Sequence, residues 1–394
     1  MADKSLIERI YSSQMDEKVR PGKVLILYGP RQVGKTTLVR QYLKGFNGRY
    51  YATTGEDLHT IQVLTSFSQD EIRRQYGDLD LLFIDEAQVI PQVGHTLKFL
   101  VDTLPDLKVV VTGSSSFELA NQTGEPLVGR KTTLTLYPFS FDELRRDRGF
   151  AAAEAELDAA LVYGSYPEVW LARSNRGKMD VLRELAESYL YKDILAFESI
   201  KNSAKIRQLL SLLAFQVGKE VSLTELGTRL SLARQTVERY LDLLEKCFVV
   251  YRVGGFARNL RNEITKTSRW YFFDNGVMNC VSGQLNDLSM RADVGALWEN
   301  WVMAERLKRL TYEGRFPQRY FWRTYVQSEI DCVEEENGQL AAWEFKAGDK
   351  MAKVPPSWKA AYPQSTWNVV NRTNFETFIC NLEGGEHEYS QKRD

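Results

Sequence analysis

Cysteine and histidine are scarce in this 394-residue chain, at four and three residues. Cys247, Cys280, Cys332 and Cys380 lie far apart, with no Cys-x-x-Cys pair and no zinc-ligand spacing. Four reduced thiols in a cytoplasmic protein are the expected state. His59, His95 and His387 form no metal motif and sit near no evident nucleophile. Any catalysis must therefore rest on carboxylates, lysines, backbone amides and bound ions. Long apolar runs are missing too; stretches such as Leu212 to Phe215 cannot span a bilayer, so no membrane association is expected. The first residues carry no basic leader ahead of an apolar segment, and nothing there marks secretion. Neither sign of charge is in excess, with 51 Lys+Arg against 52 Asp+Glu. That balance argues weakly against a nucleic-acid partner, because an average says nothing about where charges sit.

What is present is an ordinary folded composition, 43% hydrophobic and 26% charged, which excludes a disordered or low-complexity chain. At about 150 residues per domain the length suggests two or three domains. The apolar run Lys23 to Tyr28 reads as a buried parallel strand. It leads into Gly29-Pro30-Arg31-Gln32-Val33-Gly34-Lys35-Thr36, which fits the P-loop pattern, and Thr36 to Lys44 then reads as a helix. Glycines let the loop fold so that successive N–H groups, through Thr37, face phosphate oxygens at a helix N-terminus. Lys35 is expected to neutralise the β- and γ-phosphates, and the Thr36 hydroxyl to ligate Mg²⁺.

A second strand, Leu81 to Ile84, ends in Asp85-Glu86, the Walker B arrangement. Asp85 is expected to hold Mg²⁺ through water and Glu86 to polarise the attacking water. Val109-Val-Val-Thr112-Gly-Ser114 reads as another buried strand ending in hydroxyls. Ser114 is the first candidate to sense the γ-phosphate and Thr112 the second, although hydroxyls at strand ends also form turns.

These three motifs resemble those of prokaryotic AAA+-type ATPases that join such a module to a conserved, uncharacterised C-terminal domain. Later landmarks agree: Gly129-Arg130, Leu136-Tyr-Pro-Phe-Ser-Phe-Asp-Glu143 and Tyr163-Gly-Ser-Tyr-Pro-Glu168, with Ser165 where the resemblance expects a second glycine. The resemblance implies that Arg130 is an arginine finger or sensor, in cis or in trans. A trans role implies a homo-oligomer, and the alternative is a structural arginine.

Residues 151–202 read as a helical lid, continuing from Val181 to Phe197. From Ser203 the pattern becomes a helix, then a capping box Ser222-Leu-Thr-Glu225 opening a second helix, then a third from Ser231 to about Lys246. Val237, Tyr240, Leu241 and Leu244 form its apolar stripe, with Arg234, Gln235 and Arg239 off it. Two strands joined by a basic loop follow, which together resemble a winged helix. Residues 203–270 hold twelve Lys and Arg against six Asp and Glu. Arg234, Arg239, Arg258, Arg261 and Lys266 are the candidate contacts to DNA, with RNA as the other nucleic-acid possibility. Winged helices also serve as protein interaction modules.

Near the C-terminus, Asn337-Gly338 sits between two strand-like runs and predicts a hairpin. A two-residue turn there places Asp331 opposite Glu344, with Lys346 on the same face. Ile330, Cys332, Trp343 and Phe345 are expected to point the other way, into a core. The Asp331, Glu344, Lys346 set resembles the carboxylate-lysine core of the restriction-endonuclease-like nuclease fold, with Glu299 on a preceding helix as a further acid. That resemblance implies a Mg²⁺ or Mn²⁺ site on Glu299, Asp331 and Glu344 in which Lys346 activates a metal-bound water; salt bridging on an exposed hairpin is the alternative.

The expected architecture is α/β: a P-loop AAA+-type ATPase domain over 1–150, a helical lid over 151–202, a winged helix over 203–275 and a nuclease-like domain over 276–394. The expected function is a Mg²⁺-dependent ATPase that couples nucleotide state to DNA binding and cleavage. The rival is a nucleotide-driven switch whose later domains bind proteins and cut nothing.

Overall fold

The computed structural model describes residues 6–113, 127–190, 203–257, 268–324 and 328–380. Ser114, Arg258, Arg261 and Lys266 lie outside those residues, as does the end of the helix expected through Phe197.

The N-terminal part is one parallel sheet. Strands β1 (Val24–Tyr28), β2 (Tyr50–Thr54), β3 (Leu81–Asp85), β4 (Lys108–Gly113) and β5 (Lys131–Thr135) lie in the order β2-β3-β4-β1-β5. All five residues of β1 are buried, as are the first four of β3, because helices cover both faces. Helix α1 (Lys35–Gly45) follows β1 through the P-loop, so the loop sits at the carboxyl end of the central strands, where α/β sheets bind ligands. Helix α2 (Phe141–Arg148) opens with a complete capping box between Ser140 and Glu143.

The following region runs α3 (Ser203–Phe215), β6 (Glu220–Val221), α4 (Leu223–Leu230), α5 (Arg234–Lys246), β7 (Val250–Gly255) and β8 (Ser268–Phe272). The stripe Val237, Tyr240, Leu241 and Leu244 is buried, while Arg234 and Arg239 are exposed. One expected boundary and one expected cap differ. Ser231 adopts a left-handed conformation (φ 53°) that ends α4, and α5 begins only at Arg234. The capping box at Ser222 is half formed: Ser222 Oγ accepts from Glu225 N, but Glu225 turns to Arg229 instead, at 2.8 Å.

After α6 (Asn275–Ser282) and the long helix α7 (Val294–Tyr312) come β9 (Gln318–Arg323), β10 (Glu329–Glu336), β11 (Gln339–Phe345), the short helix α8 (Pro356–Ala361) and β12 (Thr366–Val370). These strands and β6 to β8 form one seven-stranded sheet, in the order β12-β11-β10-β9-β7-β8-β6. Its joint is the parallel pairing of β7 with β9, Gly254 opposite Tyr320. The sheet thus crosses residue 275, the expected end of the winged helix.

The hairpin forms in the expected register, with Cys332 opposite Trp343 and left-handed backbone at Asn337 (φ 53°) and Gly338 (φ 78°). One expected side chain changes face. The β9–β10 register slips by one residue between Ile330 and Val333, a bulge. Cys332, Trp343 and Phe345 stay in the main core, whereas Ile330 joins Val333, Trp322 and Trp358 on the opposite face.

Candidate functional site

The P-loop is shaped by three left-handed residues, Gly29 (φ 144°), Gln32 (φ 61°) and Gly34 (φ 93°). A Cβ on Gly29 would meet the Leu136 carbonyl oxygen at 1.9 Å, so only glycine fits between β1 and the end of β5. Lys35 is buried and its Nζ donates to Gly29 O at 2.9 Å and Pro30 O at 2.7 Å, which holds the ammonium inside the loop. The Thr36 hydroxyl lies 2.9 Å from both carboxylate oxygens of Asp85. The P-loop and the end of β3 therefore meet, and a hydroxyl beside a carboxylate is a donor set that fits a hard cation such as Mg²⁺.

Thr112, at the end of β4, is wired into the same place. Its hydroxyl donates to Asp85 and accepts the backbone N–H of Glu86 at 3.0 Å. Glu86 takes a left-handed backbone (φ 51°), and its carboxylate accepts from Gln88 Nε2. Thr112, the second candidate, thus touches Asp85 and the Glu86 backbone, while Ser114, the first, lies outside the described residues. Gln88 closes the Ile84-Asp-Glu-Ala-Gln88 run, and nothing in its spacing marks it as a partner of Glu86.

Arg130 lies elsewhere. Its carbonyl accepts from Val24 N at 2.8 Å, which places it at the amino end of β1 and β5, opposite to the P-loop end. A five-residue strand separates the two ends by about 16 Å. The guanidinium instead pairs with Asp102 at 2.6 Å and is 43% exposed. A cis role on the γ-phosphate does not fit this position.

The C-terminal carboxylates gather around an arginine. Arg269, on β8, is buried; its Nη1 lies 3.7 Å from Glu299 and 3.6 Å from Asp331, and its Nη2 lies 3.0 Å from Glu329. Tyr271 donates to Glu299 at 2.7 Å, and Asp331 also accepts the Phe345 N–H at 2.8 Å. Glu344 pairs with Lys346 at 2.7 Å. Burial, reinforced by the Asp331 carboxylate, pushes Glu299 up to about 8. Burial and the Glu344 carboxylate push Asp331 up to about 6. Lys346 is raised because Glu344 outweighs its partial burial. Among the described residues no group of three or more His, Cys, Asp or Glu is arranged to hold a metal ion. The expected Mg²⁺ or Mn²⁺ set therefore does not fit: two of its acids face a resident guanidinium, and the third is tied to Lys346. In sequence Arg269 is one basic residue among twelve in its region, since its partners arrive from α7 and β10.

The candidate nucleic-acid face carries mixed charge. A groove of about 710 Å³ beside α5 is lined by Arg234, Arg239 and Arg252 but also by Glu238, Asp242 and Glu245. No helix among the described residues is long and apolar enough to cross a membrane.

Residues 21–145 match the family described as AAA domain, 154–288 match Domain of unknown function (DUF8612), and 294–374 match Domain of unknown function (DUF4143). An uncharacterized protein of Mycobacterium tuberculosis is 29% identical over 345 residues, which is 86% of this chain and 74% of that protein. An uncharacterized protein of Methanocaldococcus jannaschii is 23% identical over 400 residues, covering 96% of this chain and 87% of its own length. Among solved structures, the Walker-type ATPase PABY2304 of Pyrococcus abyssi superposes with a TM-score of 0.50 at 17% identity, over 71% of this chain and 96% of that one. Together with the parallel sheet and P-loop, these matches give the chain an AAA-type P-loop domain.

Proposed function

We propose that this chain is a Mg²⁺-dependent ATPase whose nucleotide state is coupled to nucleic-acid binding through a winged helix. The observation that carries the first part is the direct contact of Thr36 with Asp85 beneath a glycine-shaped loop that encloses Lys35. In this reading Gly29 to Thr37 cradle the phosphates, and Thr36 and Asp85 hold Mg²⁺, which neutralises phosphate charge when bound. Lys35 exchanges the Gly29 and Pro30 carbonyls for phosphate oxygens. Glu86 polarises the attacking water once its carboxylate leaves Gln88, and Thr112 holds both acids in place. Lys35→Ala is expected to abolish ATP hydrolysis and to weaken ATP binding; normal hydrolysis by that variant would sink the reading.

The order helix, short strand, two helices and two-stranded ribbon over α3 to β8 supports the winged-helix reading. Helix α7, strands β9 to β11, α8 and the parallel β12 support the nuclease-like fold for the last region. These two parts share a sheet, so the four-part division belongs to this proposal with the last two parts joined. Exposed Arg234 and Arg239 are the described residues that would meet phosphates. Replacing both with alanine should lower the slope of log K against log salt by about 2, since each phosphate contact contributes roughly 0.9. The assay uses duplex DNA with RNA as competitor.

Two observations favour the second reading, a nucleotide-driven switch that binds partner proteins. The α5 groove alternates Arg with Glu and Asp, which suits a mixed-charge peptide better than a phosphate backbone. The C-terminal carboxylates already have Arg269 as their cation, so no cleavage step is assigned to them. DNA binding that is absent at every salt concentration would favour this switch.

A further inference from the structure

A P-loop peptide unit that turns its N–H inward turns its carbonyl outward, and a buried outward carbonyl needs a donor. Arg9 supplies one. It is buried near the start of the chain, and its Nη1 donates to the Val33 carbonyl at 2.5 Å. Its other donors are also engaged: Nη2 to Tyr137 O at 2.7 Å and Nε to Glu143 at 2.8 Å. Its guanidinium lies 5.0 Å from the Phe139 ring centroid. Glu143 is itself fixed, accepting from Ile10 N and Ser140 N at 2.9 Å each.

The Val33 carbonyl and the Gly34 N–H belong to one planar trans peptide unit and point in opposite directions. Holding the carbonyl outward therefore aims the N–H at the concave side of the loop. We propose that Arg9 is a positioning residue for the phosphate cradle, acting through the Val33–Gly34 peptide plane. The inference rests on the ATP reading given above and deepens it.

Neighbouring contacts give the lock a further reach. Tyr137 N donates to Tyr312 OH at 3.2 Å, and Phe141 N donates to Glu305 at 2.7 Å. Glu305 also takes Lys308, whose Nζ reaches Phe139 O at 3.0 Å. Glu305, Lys308 and Tyr312 all lie on α7, the helix that carries Glu299. The Arg9 guanidinium thus joins the P-loop to the segment on which α7 is seated.

The test is calorimetric titration of the full chain with a non-hydrolysable ATP analogue and, separately, with tripolyphosphate. Arg9→Met should weaken both by about ten-fold, the order expected when one donor to a charged group is misaimed. Arg9→Lys should fall between Met and the wild type. Glu143→Gln loses an ion pair and half a capping box but keeps the Arg9–Val33 contact; it should lower thermal stability while changing either affinity less than two-fold. Equal affinities in the wild type and Arg9→Met overturn the proposal, as does a loss in Glu143→Gln as large as in Arg9→Met. Should Arg9→Met fail to fold, an unchanged Arg9→Lys affinity overturns it. A wild-type chain that binds neither probe overturns the ATP reading itself, which the variants cannot mimic.

Discussion

The guanidinium of Arg269 lies 3.6 Å from the carboxylate of Asp331, and both side chains are largely shielded from water. A buried charge pair is weak evidence for stability, but deleting one partner strands the other. Arg269→Met is therefore expected to destabilise the chain by about 3 kcal/mol, because the buried Asp331 carboxylate loses its cation. Urea unfolding at pH 7.5 measures this. The same variant opens room for a divalent ion, so Mn²⁺ should protect Arg269→Met against unfolding and leave the nucleotide-free wild type unmoved.

Glu299 gives that cluster a pH signature. Burial raises its folded pKa to about 8, above the ordinary carboxylate value, so the folded state holds a proton that the unfolded state releases. The stabilising contribution is complete below about pH 4.3 and is lost as pH rises through the folded value. Wild-type stability should fall between those limits. Glu299→Gln, which keeps an acceptor for Tyr271, should show a flatter profile there. Parallel profiles in wild type and variant would contradict the assignment.

Thr112 is fully buried and serves Asp85 and Glu86 at once. Thr112→Val keeps the shape and removes the hydroxyl, leaving the Glu86 N–H without its acceptor. Stability should drop by about 1–3 kcal/mol, the cost of one unsatisfied buried group. On the ATPase reading, kcat should fall about ten-fold, or roughly 1.4 kcal/mol of barrier, with KM for ATP little changed. A larger change in KM than in kcat would instead place Thr112 in ground-state binding.

Much of this was legible in local sequence, and what was not has a physical pattern. The P-loop, the acids after Ile84 and the Asn337-Gly338 turn are short-range devices, each fixed by backbone needs that residue type reveals. Asp331 lies beside Glu344 because the register follows from the turn. The bulge that sends Ile330 to the opposite face comes from pairing with β9, which no residue within the hairpin announces. Arg269 and Arg9 were illegible for the same reason. Each is an isolated cation whose meaning depends on partners far along the chain, Glu299 and Asp331 for one, Val33 and Glu143 for the other. The joining of β7 to β9 rests on two residue pairs, Gly254 with Tyr320 and Gly255 with Phe321, and glycines in a strand read more readily as a weakness than as a joint.

Arg130 separates a single-subunit engine from an assembled one. Its place at the amino end of β5, held by Asp102, keeps it about 16 Å from its own P-loop, the length of a five-residue strand. β5 is an edge strand, so the side chain is 43% exposed where another copy can approach. If it acts on phosphate at all, it acts on a neighbour's. Arg130→Ala should then be as inactive as Lys35→Ala when each is assayed alone. Mixed in equal amounts the two should regain activity, because a Lys35→Ala subunit still presents Arg130 to an intact P-loop. The regained rate should rise with protein concentration, as assembly requires. A mixture no more active than its parts, together with full activity of Arg130→Ala alone, would leave Arg130 as a structural partner of Asp102.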